Sequence, residues 1–217
     1  RLPRPTAMPH AVILANGTPP EPATLRRALQ GASLFLCADG GANAARDLGV
    51  RPAAIVGDFD SVTPETIAHF QGVPHVRDED LERTDAEKSI DYALAQGPFD
   101  TITLLGASAG RLDHVLGHIG LLRKYAERVR LVMEDESGRA YVARGDVKIE
   151  APRGSVISFF AVGAPVEGLT TENLRYPLTN KTLELGVQDS ISNVVDASPA
   201  WIRFPRGHLL VIEAKAP

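Results

Sequence analysis

The strongest constraint on the fold is an alternation that runs from Ala11 to Met133. Apolar runs at Ala11–Ala15, Leu34–Ala38, Ala53–Val56, Thr101–Leu105 and Val129–Met133, with a weaker one at His75-Val76, alternate with segments of helical period. Helices are expected at Glu21–Gln30, Ala42–Leu48, Pro64–Phe70, Asp85–Ala95 and Arg111–Tyr125. Thr84 and Glu87 have capping-box spacing, and Ala86, Ile90, Ala93 and Leu94 share one face of the helix that follows. Leu112, Val115, Leu116, Ile119 and Leu122 make the clearest apolar stripe, of the kind that faces a core. Strand–helix alternation predicts an α/β N-terminal domain with a mostly parallel open sheet and helices on both faces.

The pattern changes after Met133. Glu134–Arg139 is a polar break, and beyond it come short β-type runs at Tyr141-Val142, Val147–Ile149, Val156–Ala161, Leu183–Leu185 and Leu209–Glu213. Gly and Pro punctuate them, and no amphipathic helix is evident. A smaller all-β domain, an antiparallel sandwich or barrel, is expected over residues 137–217, after an α/β domain over residues 1–136. Trp201 and Phe204 are assigned to its core. Tyr176 lies in a turn-prone segment and is expected to be exposed.

Composition narrows the function classes. A chain of 217 residues has room for one large domain or two modest ones. A net charge of -4 leaves no basic footprint, so no nucleic-acid partner is expected. No apolar stretch approaches a membrane span and the first residues lack a signal-peptide pattern, so a cytoplasmic protein without a membrane partner is expected. The single cysteine, Cys37, sits inside an apolar run and reads as a core residue.

In open α/β sheets, ligands bind beyond the carboxyl ends of the strands. The polar clusters of this chain fall there: Asn16-Gly17, Asp39-Gly40-Gly41-Ala42-Asn43, Asp58 with Asp60, Glu82–Asp85, and Gly106–Arg111. In Gly57-Asp58-Phe59-Asp60-Ser61, two carboxylates one residue apart follow a buried run. Repulsion and desolvation disfavour two bare anions there, and a hard cation such as Mg²⁺ relieves both. The plainer alternative is an acidic turn that caps the next helix. Asp39-Gly40-Gly41 suits a sharp turn with positive φ and close approach to a ligand. Gly106–Gly110 offers backbone N–H groups to phosphate, with Arg111 as a fork-shaped grip. Neither loop is a named nucleotide fingerprint. His114 and His118, four apart, could hold Zn²⁺, but no third ligand has suggestive spacing. Asp78-Glu79-Asp80 reads as a solvated loop edge.

Taken together, these motifs are similar to those of the thiamine pyrophosphokinase family. The resemblance rests on Asp39-Gly40-Gly41-Ala42, Gly57–Ser61, Thr84-Asp85, Gly110-Arg111-Leu112-Asp113-His114, Tyr176-Pro177-Leu178 and Ser190-Ile191-Ser192-Asn193. It implies a nucleotide-binding α/β domain, a β-sandwich domain, and a homodimer with active sites between protomers. Its implied reaction moves the terminal pyrophosphate of ATP to the hydroxyl of thiamine, with Mg²⁺ as cofactor, ATP as co-substrate and AMP as leaving group. The implied roles give Asp39, Asp58, Asp60 and Asp85 to Mg²⁺ and the phosphates. They add Gly40, Gly41, Thr84, Gly110, Arg111 and Asp113 on the nucleotide side, with Asp58, Asp60, Asp85 and Arg111 catalytic. Ser190, Ser192, Asn193 and Tyr176 would lie on the thiamine side. The chain departs from the family pattern at Leu81, Glu82, Ala109 and His118, and the changes at Leu81 and His118 leave a related alcohol open as the acceptor. Two other classes share some of these features. Asp58-Phe59-Asp60 also suits a haloacid-dehalogenase-type phosphatase, and the loops suit a non-catalytic nucleotide-binding regulator.

Overall fold

A computed structural model of the chain describes residues 9–215. Residues 9–121 together with Val129–Glu136 form one compact unit, and Leu122–Arg128 together with residues 137–215 form a second. Among the described residues no helix is long and apolar enough to cross a membrane.

In the first unit the chain alternates as expected: β1 His10–Leu14, α1 Pro22–Leu29, β2 Leu34–Ala38, α2 Gly41–Asp47, β3 Ala54–Gly57, α3 Pro64–His69, β4 His75–Arg77, α4 Asp85–Gln96 and β5 Thr101–Leu105. Helix α5, Leu112–Lys124, and strand β6, Arg130–Glu134, complete the series. The strands lie in the order β6-β5-β1-β2-β3-β4, every neighbouring pair parallel. Parallel strands covered on both faces need apolar residues at consecutive positions. Accordingly Ala11, Val12, Ile13 and Leu14 are all fully buried. Side chains from β1, β2, β3, β5, α1, α2 and the segments flanking α3 form one core that includes Val12, Leu14, Leu25, Phe35, Ile55 and Phe70. Cys37 belongs to that core as a free thiol, and burial pushes its pKa up. The chain runs outward from β1 to β4, then returns to place β5 on the other side of β1. That reversal opens a crevice at the carboxyl ends of β1 and β5, where such sheets bind ligands.

Apart from the end of α5, the regular elements of the second unit are strands: β7 Gly138–Ala143, β8 Val147–Ile149, β9 Val156–Ala161, β10 Val166–Glu172, β11 Lys181–Leu183, β12 Ser190–Val194, β13 Ala200–Arg203 and β14 Leu209–Ala214. Strands β12-β9-β14-β7 pair antiparallel, and β11-β10-β13-β8 pair antiparallel in a separate sheet. In β9 the residues Ile157, Phe159 and Ala161 point inward and alternate with more exposed neighbours, as a strand with one buried face requires.

The structure corrects three expectations. Strands β10, β12 and β13 carry too many polar residues to read as apolar runs, because cross-strand pairing rather than their own hydrophobicity holds them. Phe204 is buried, but Trp201 is only half-buried, with the Arg203 guanidinium 4.5 Å from its ring centroid. On α5, Leu112 and Leu116 are 82% and 68% exposed, while His118 and Leu122 are buried. The buried and half-buried positions include 115, 118, 119, 121 and 122, so the inward face is rotated from the expected stripe and includes a histidine.

Candidate active site

Asp39 follows β2 in a left-handed conformation, φ 41°, so the positive φ expected of the glycines falls on the aspartate. Gly40 and Gly41 serve close packing within the protein. A Cβ on Gly40 would lie 2.5 Å from the Asn16 side chain, and one on Gly41 would lie 2.1 Å from the Leu14 carbonyl oxygen. These contacts draw the start of α2 against the end of β1 and turn the Asp39 carboxylate inward, 1% exposed. Its Oδ2 accepts the Ser61 amide at 3.0 Å, and its Oδ1 is sealed with no donor. Burial raises the Asp39 pKa to about 6, with Asp85 and Asp60 adding to the rise against the Ser61 amide.

The loop after β3 is shaped by its own polar groups. Phe59 adopts φ 69°, and the Asp60 amide donates to Asp58 Oδ1 at 3.1 Å across that turn. Ser61 Oγ donates to Asp60 Oδ1 at 2.7 Å, the first cause of a lowered Asp60 pKa. Asn43 ties the loop to α2: its Nδ2 donates to the Ser61 carbonyl at 3.0 Å and its Oδ1 accepts the Thr63 amide at 3.0 Å. A Cβ on Gly57 would lie 2.8 Å from Asp39 Cβ and 3.1 Å from Asp85 Oδ1, so only glycine lets the two carboxylates flank this point.

Thr84 caps α4, its Oγ1 accepting the Glu87 amide at 3.3 Å, and this sets Asp85 at the first helical position. Asp85 Oδ1 accepts from Lys88 Nζ at 3.1 Å, and the Lys88 side chain is 2% exposed. The loop before α4 is clasped by Arg83, which reaches Asp80 at 2.7 Å, Asp78 at 2.8 Å and Asp91 at 3.3 Å. Asp78 and Asp80 are therefore structural partners rather than a solvated edge. Glu82 lies exposed on this loop.

The crevice between β1 and β5 continues into a cavity of about 670 Å³ whose walls include Gly17, Asp60, Asp85, Gly110, Arg111 and His118. A Cβ on Gly17 would lie 2.3 Å from the Gly106 carbonyl oxygen, which packs the two loops together. Ser108 Oγ donates to Asp135 Oδ2 at 2.5 Å, and Gly110 takes φ 106° before α5. Arg111 and Asp113 form an exposed two-pronged pair, 2.6 Å between Nη2 and Oδ2 and 3.2 Å between Nε and Oδ1. An exposed pair of this kind is weak, so Arg111 is free to exchange a carboxylate for a phosphate. His114 and His118 stand edge to face with centroids 6.3 Å apart, and they belong to no metal-binding group among the described residues.

In the second unit Asn193 is 1% exposed and its amide is fully used. Oδ1 accepts the amides of Tyr176 and Val194 at 3.1 and 2.9 Å, while Nδ2 donates to the Tyr176 carbonyl at 2.8 Å and to Ser190 Oγ at 3.3 Å. Asn193 thus spends its hydrogen bonds on the protein and holds both the amide and the carbonyl of Tyr176. Tyr176 is 60% exposed. Ser192 has φ 55° and donates its amide to Ser158 Oγ at 2.9 Å, at an irregularity in the β12–β9 register.

Lys88 has no place among the sequence motifs, and Asn43 and Arg83 enter them only as members of polar clusters, with no role of their own. The Asp85–Lys88 spacing suits a helical pair, but nothing in the sequence marks that lysine as buried.

Three of the expected metal ligands fit a hard cation. Asp39, Asp58 and Asp60 each offer an oxygen, and the three lie within 4.8 Å of one another. The donorless Asp39 Oδ1 is the kind of buried group that a cation relieves. Asp85 stands outside that trio and pairs with Lys88.

A family model described as Thiamin pyrophosphokinase, catalytic domain, matches residues 25–133, and one described as Thiamin pyrophosphokinase, vitamin B1 binding domain, matches residues 146–209. The chain belongs to the thiamine pyrophosphokinase family. Thiamine pyrophosphokinase of Bacillus subtilis is 30% identical over 189 residues, covering 84% of this chain and 87% of its own. Thiamine pyrophosphokinase 1 of Oryza sativa subsp. japonica is 29% identical, over 86% of this chain and 80% of its own. The crystal structure of the Bacillus subtilis family member superimposes with a TM-score of 0.83 at 27% identity, covering 96% of this chain and 100% of that one. Yeast thiamin pyrophosphokinase reaches a TM-score of 0.85 at 16% identity, covering 98% and 88%, a likeness that bears on the fold alone. The alternation of the first unit and the two antiparallel sheets of the second are thus the family architecture.

Proposed function

We propose that this chain is an enzyme that transfers pyrophosphate from ATP to the hydroxyl of thiamine, giving thiamine diphosphate and AMP. The observation that carries the reading is the buried Asp39 carboxylate, with one oxygen lacking a donor, grouped with Asp58 and Asp60 beside a glycine-walled cavity. Asp39, Asp58 and Asp60 would hold Mg²⁺, which when bound supplies charge neutralisation at the phosphates. Phosphate binding falls to the Gly106–Gly110 backbone and to Arg111, which gives up Asp113 to do so.

The thiamine hydroxyl oxygen forms a bond to the β-phosphorus as the bond from that phosphorus to the AMP oxygen breaks. Most of the acceleration comes from positioning and electrostatic complementarity. Asp85 takes the hydroxyl proton, since its Oδ2 is free of Lys88 and it lies outside the metal trio. Thr84 fixes that carboxylate by capping its helix. Residues 137–217 serve thiamine through Tyr176, Ser190 and Ser192, with Asn193 holding Tyr176. The family resemblance supports a homodimer and a cytoplasmic setting; sedimentation velocity tests the first and fractionation the second.

Incubation with Mg·ATP and thiamine is the direct test, with AMP and thiamine diphosphate expected in equal amounts. AMP formed only with another alcohol would keep the chemistry and overturn the substrate. Phosphate released from monoesters without thiamine would favour a hydrolase, and ATP binding without AMP would favour a regulator.

A further inference from the structure

One polar atom beside the cavity, Nε2 of His118, has no partner in either the aspartate trio or the phosphate loop. His118 is 7% exposed and lines the cavity from α5. Its Nδ1 lies 2.8 Å from the Ala107 carbonyl oxygen. A carbonyl only accepts, so Nδ1 carries the proton of the neutral ring and Nε2 keeps its lone pair. Burial above all, with His114 adding to it, lowers the His118 pKa against the opposing pull of the Ala107 carbonyl, which keeps the ring neutral at pH 7. Nε2 has no hydrogen-bond partner among the described residues, yet it is not one of the sealed, donorless atoms. It is a free acceptor within reach of the cavity.

Phosphate oxygens also accept, so a lone pair facing them would repel. The donors of ATP are on its nucleoside half: the ribose hydroxyls and the adenine amino group. Thiamine carries donors too. All residues lining this cavity belong to the first unit, however, whereas the vitamin B1 binding match begins at residue 146. Resting on the reading of this cavity as the ATP site, we propose that His118 Nε2 accepts a hydrogen bond from the nucleoside half of ATP and so sets nucleotide preference.

The test compares the dissociation constants of ATP, 2′-deoxy-ATP, 3′-deoxy-ATP and purine riboside triphosphate, which lacks the amino group, by calorimetry. His118→Asn keeps a donor where Nδ1 stands and removes Nε2, whereas His118→Gln keeps an acceptor at the longer reach. Wild type is expected to bind one analogue about threefold to tenfold more weakly than ATP, the worth of one neutral hydrogen bond. That discrimination is expected to vanish in His118→Asn and to persist in His118→Gln, with unchanged circular-dichroism melts. Discrimination that survives in a folded His118→Asn overturns the proposal, as does a His118→Asn penalty that couples to oxythiamine in place of the ATP analogues. Equal wild-type affinity for all four nucleotides overturns it without any variant. Failure of wild type to bind ATP at all would instead sink the reading of the cavity beneath it.

Discussion

Lys88 Nζ stands 3.1 Å from Asp85 Oδ1 with its side chain 2% exposed, so a buried ammonium backs the carboxylate at the start of α4. The same charge reaches Asp60, whose carboxyl the Ser61 hydroxyl holds below the usual range and Lys88 helps to hold there. Lys88→Met keeps the apolar stem and removes the charge, leaving Asp85 without its partner. The expected loss is roughly 2 kcal/mol of stability, less than for a fully buried pair because Asp85 is partly exposed. Turnover should fall with it, and Lys88→Arg should recover part of both. Wild-type melting and turnover in Lys88→Met would remove this lysine from the site.

Asp58→Asn and Asp85→Asn should each lower turnover by roughly two to four orders of magnitude while the fold survives. The reasons differ. Asp58 belongs to the oxygen trio, so its variant should also weaken Mn²⁺ binding. Asp85 lies outside the trio, so its variant should bind Mn²⁺ nearly as wild type does. Near-normal turnover in both would sink the site assignment, and equal loss of Mn²⁺ binding in both would return Asp85 to the metal.

The Asp39 pKa of about 6 has a sign that can be tested. Its folded value lies above its unfolded value, so between the two the folded state binds more protons and stability falls as pH rises. Above about pH 6 Asp39 is a buried anion, and the metal-free protein carries that cost. Mg²⁺ should therefore raise the melting temperature at pH 8 and much less at pH 5, where protons compete for Asp39. Asp39→Asn should melt higher than wild type in EDTA at pH 8 and lose the response to Mg²⁺. A Mg²⁺ effect that is independent of pH would contradict this.

Two glycines should respond to alanine with opposite signs. The added Cβ at Gly41 meets the Leu14 carbonyl oxygen at 2.1 Å, so Gly41→Ala should cost about 3 kcal/mol or block folding. At Gly117, inside α5, the same atom meets nothing within 4 Å, so Gly117→Ala should stabilise by about 0.5–1 kcal/mol. Urea unfolding measures both.

Asn193→Leu removes the partner of the Tyr176 amide and carbonyl and of Ser190 Oγ. The expected outcome is a loss of about 2 kcal/mol, with KM for thiamine raised several-fold and KM for ATP unchanged. Equal changes in both KM values would mean that Asn193 acts only through global stability.

Much of the fold was legible because parallel strands buried on both faces announce themselves as continuous apolar runs, and β2 and β5 appear at the expected residues. The second unit was less legible. Sequences such as Val166–Glu172 and Ser190–Val194 become strands only when a neighbour pairs with them, and that partner lies far along the chain. At the site the aspartates and glycine loops stood out by residue type. Lys88 and Arg83 did not, since a charged residue on a helix or in a loop is usually solvated.

The order of elements, the family, and the gathering of the polar loops at the carboxyl ends of the strands could be read from the sequence, because they follow from local pattern and from parallel alternation. Only the tertiary structure decided how the carboxylates divide. Asp39, Asp58 and Asp60 share one point while Asp85 faces Lys88, and Gly57 separates Asp39 from Asp85 with no side chain between them. That division depends on ångström-scale distances between residues remote in sequence. Composition and spacing do not encode such distances; the packing of β2, β3 and α4 does.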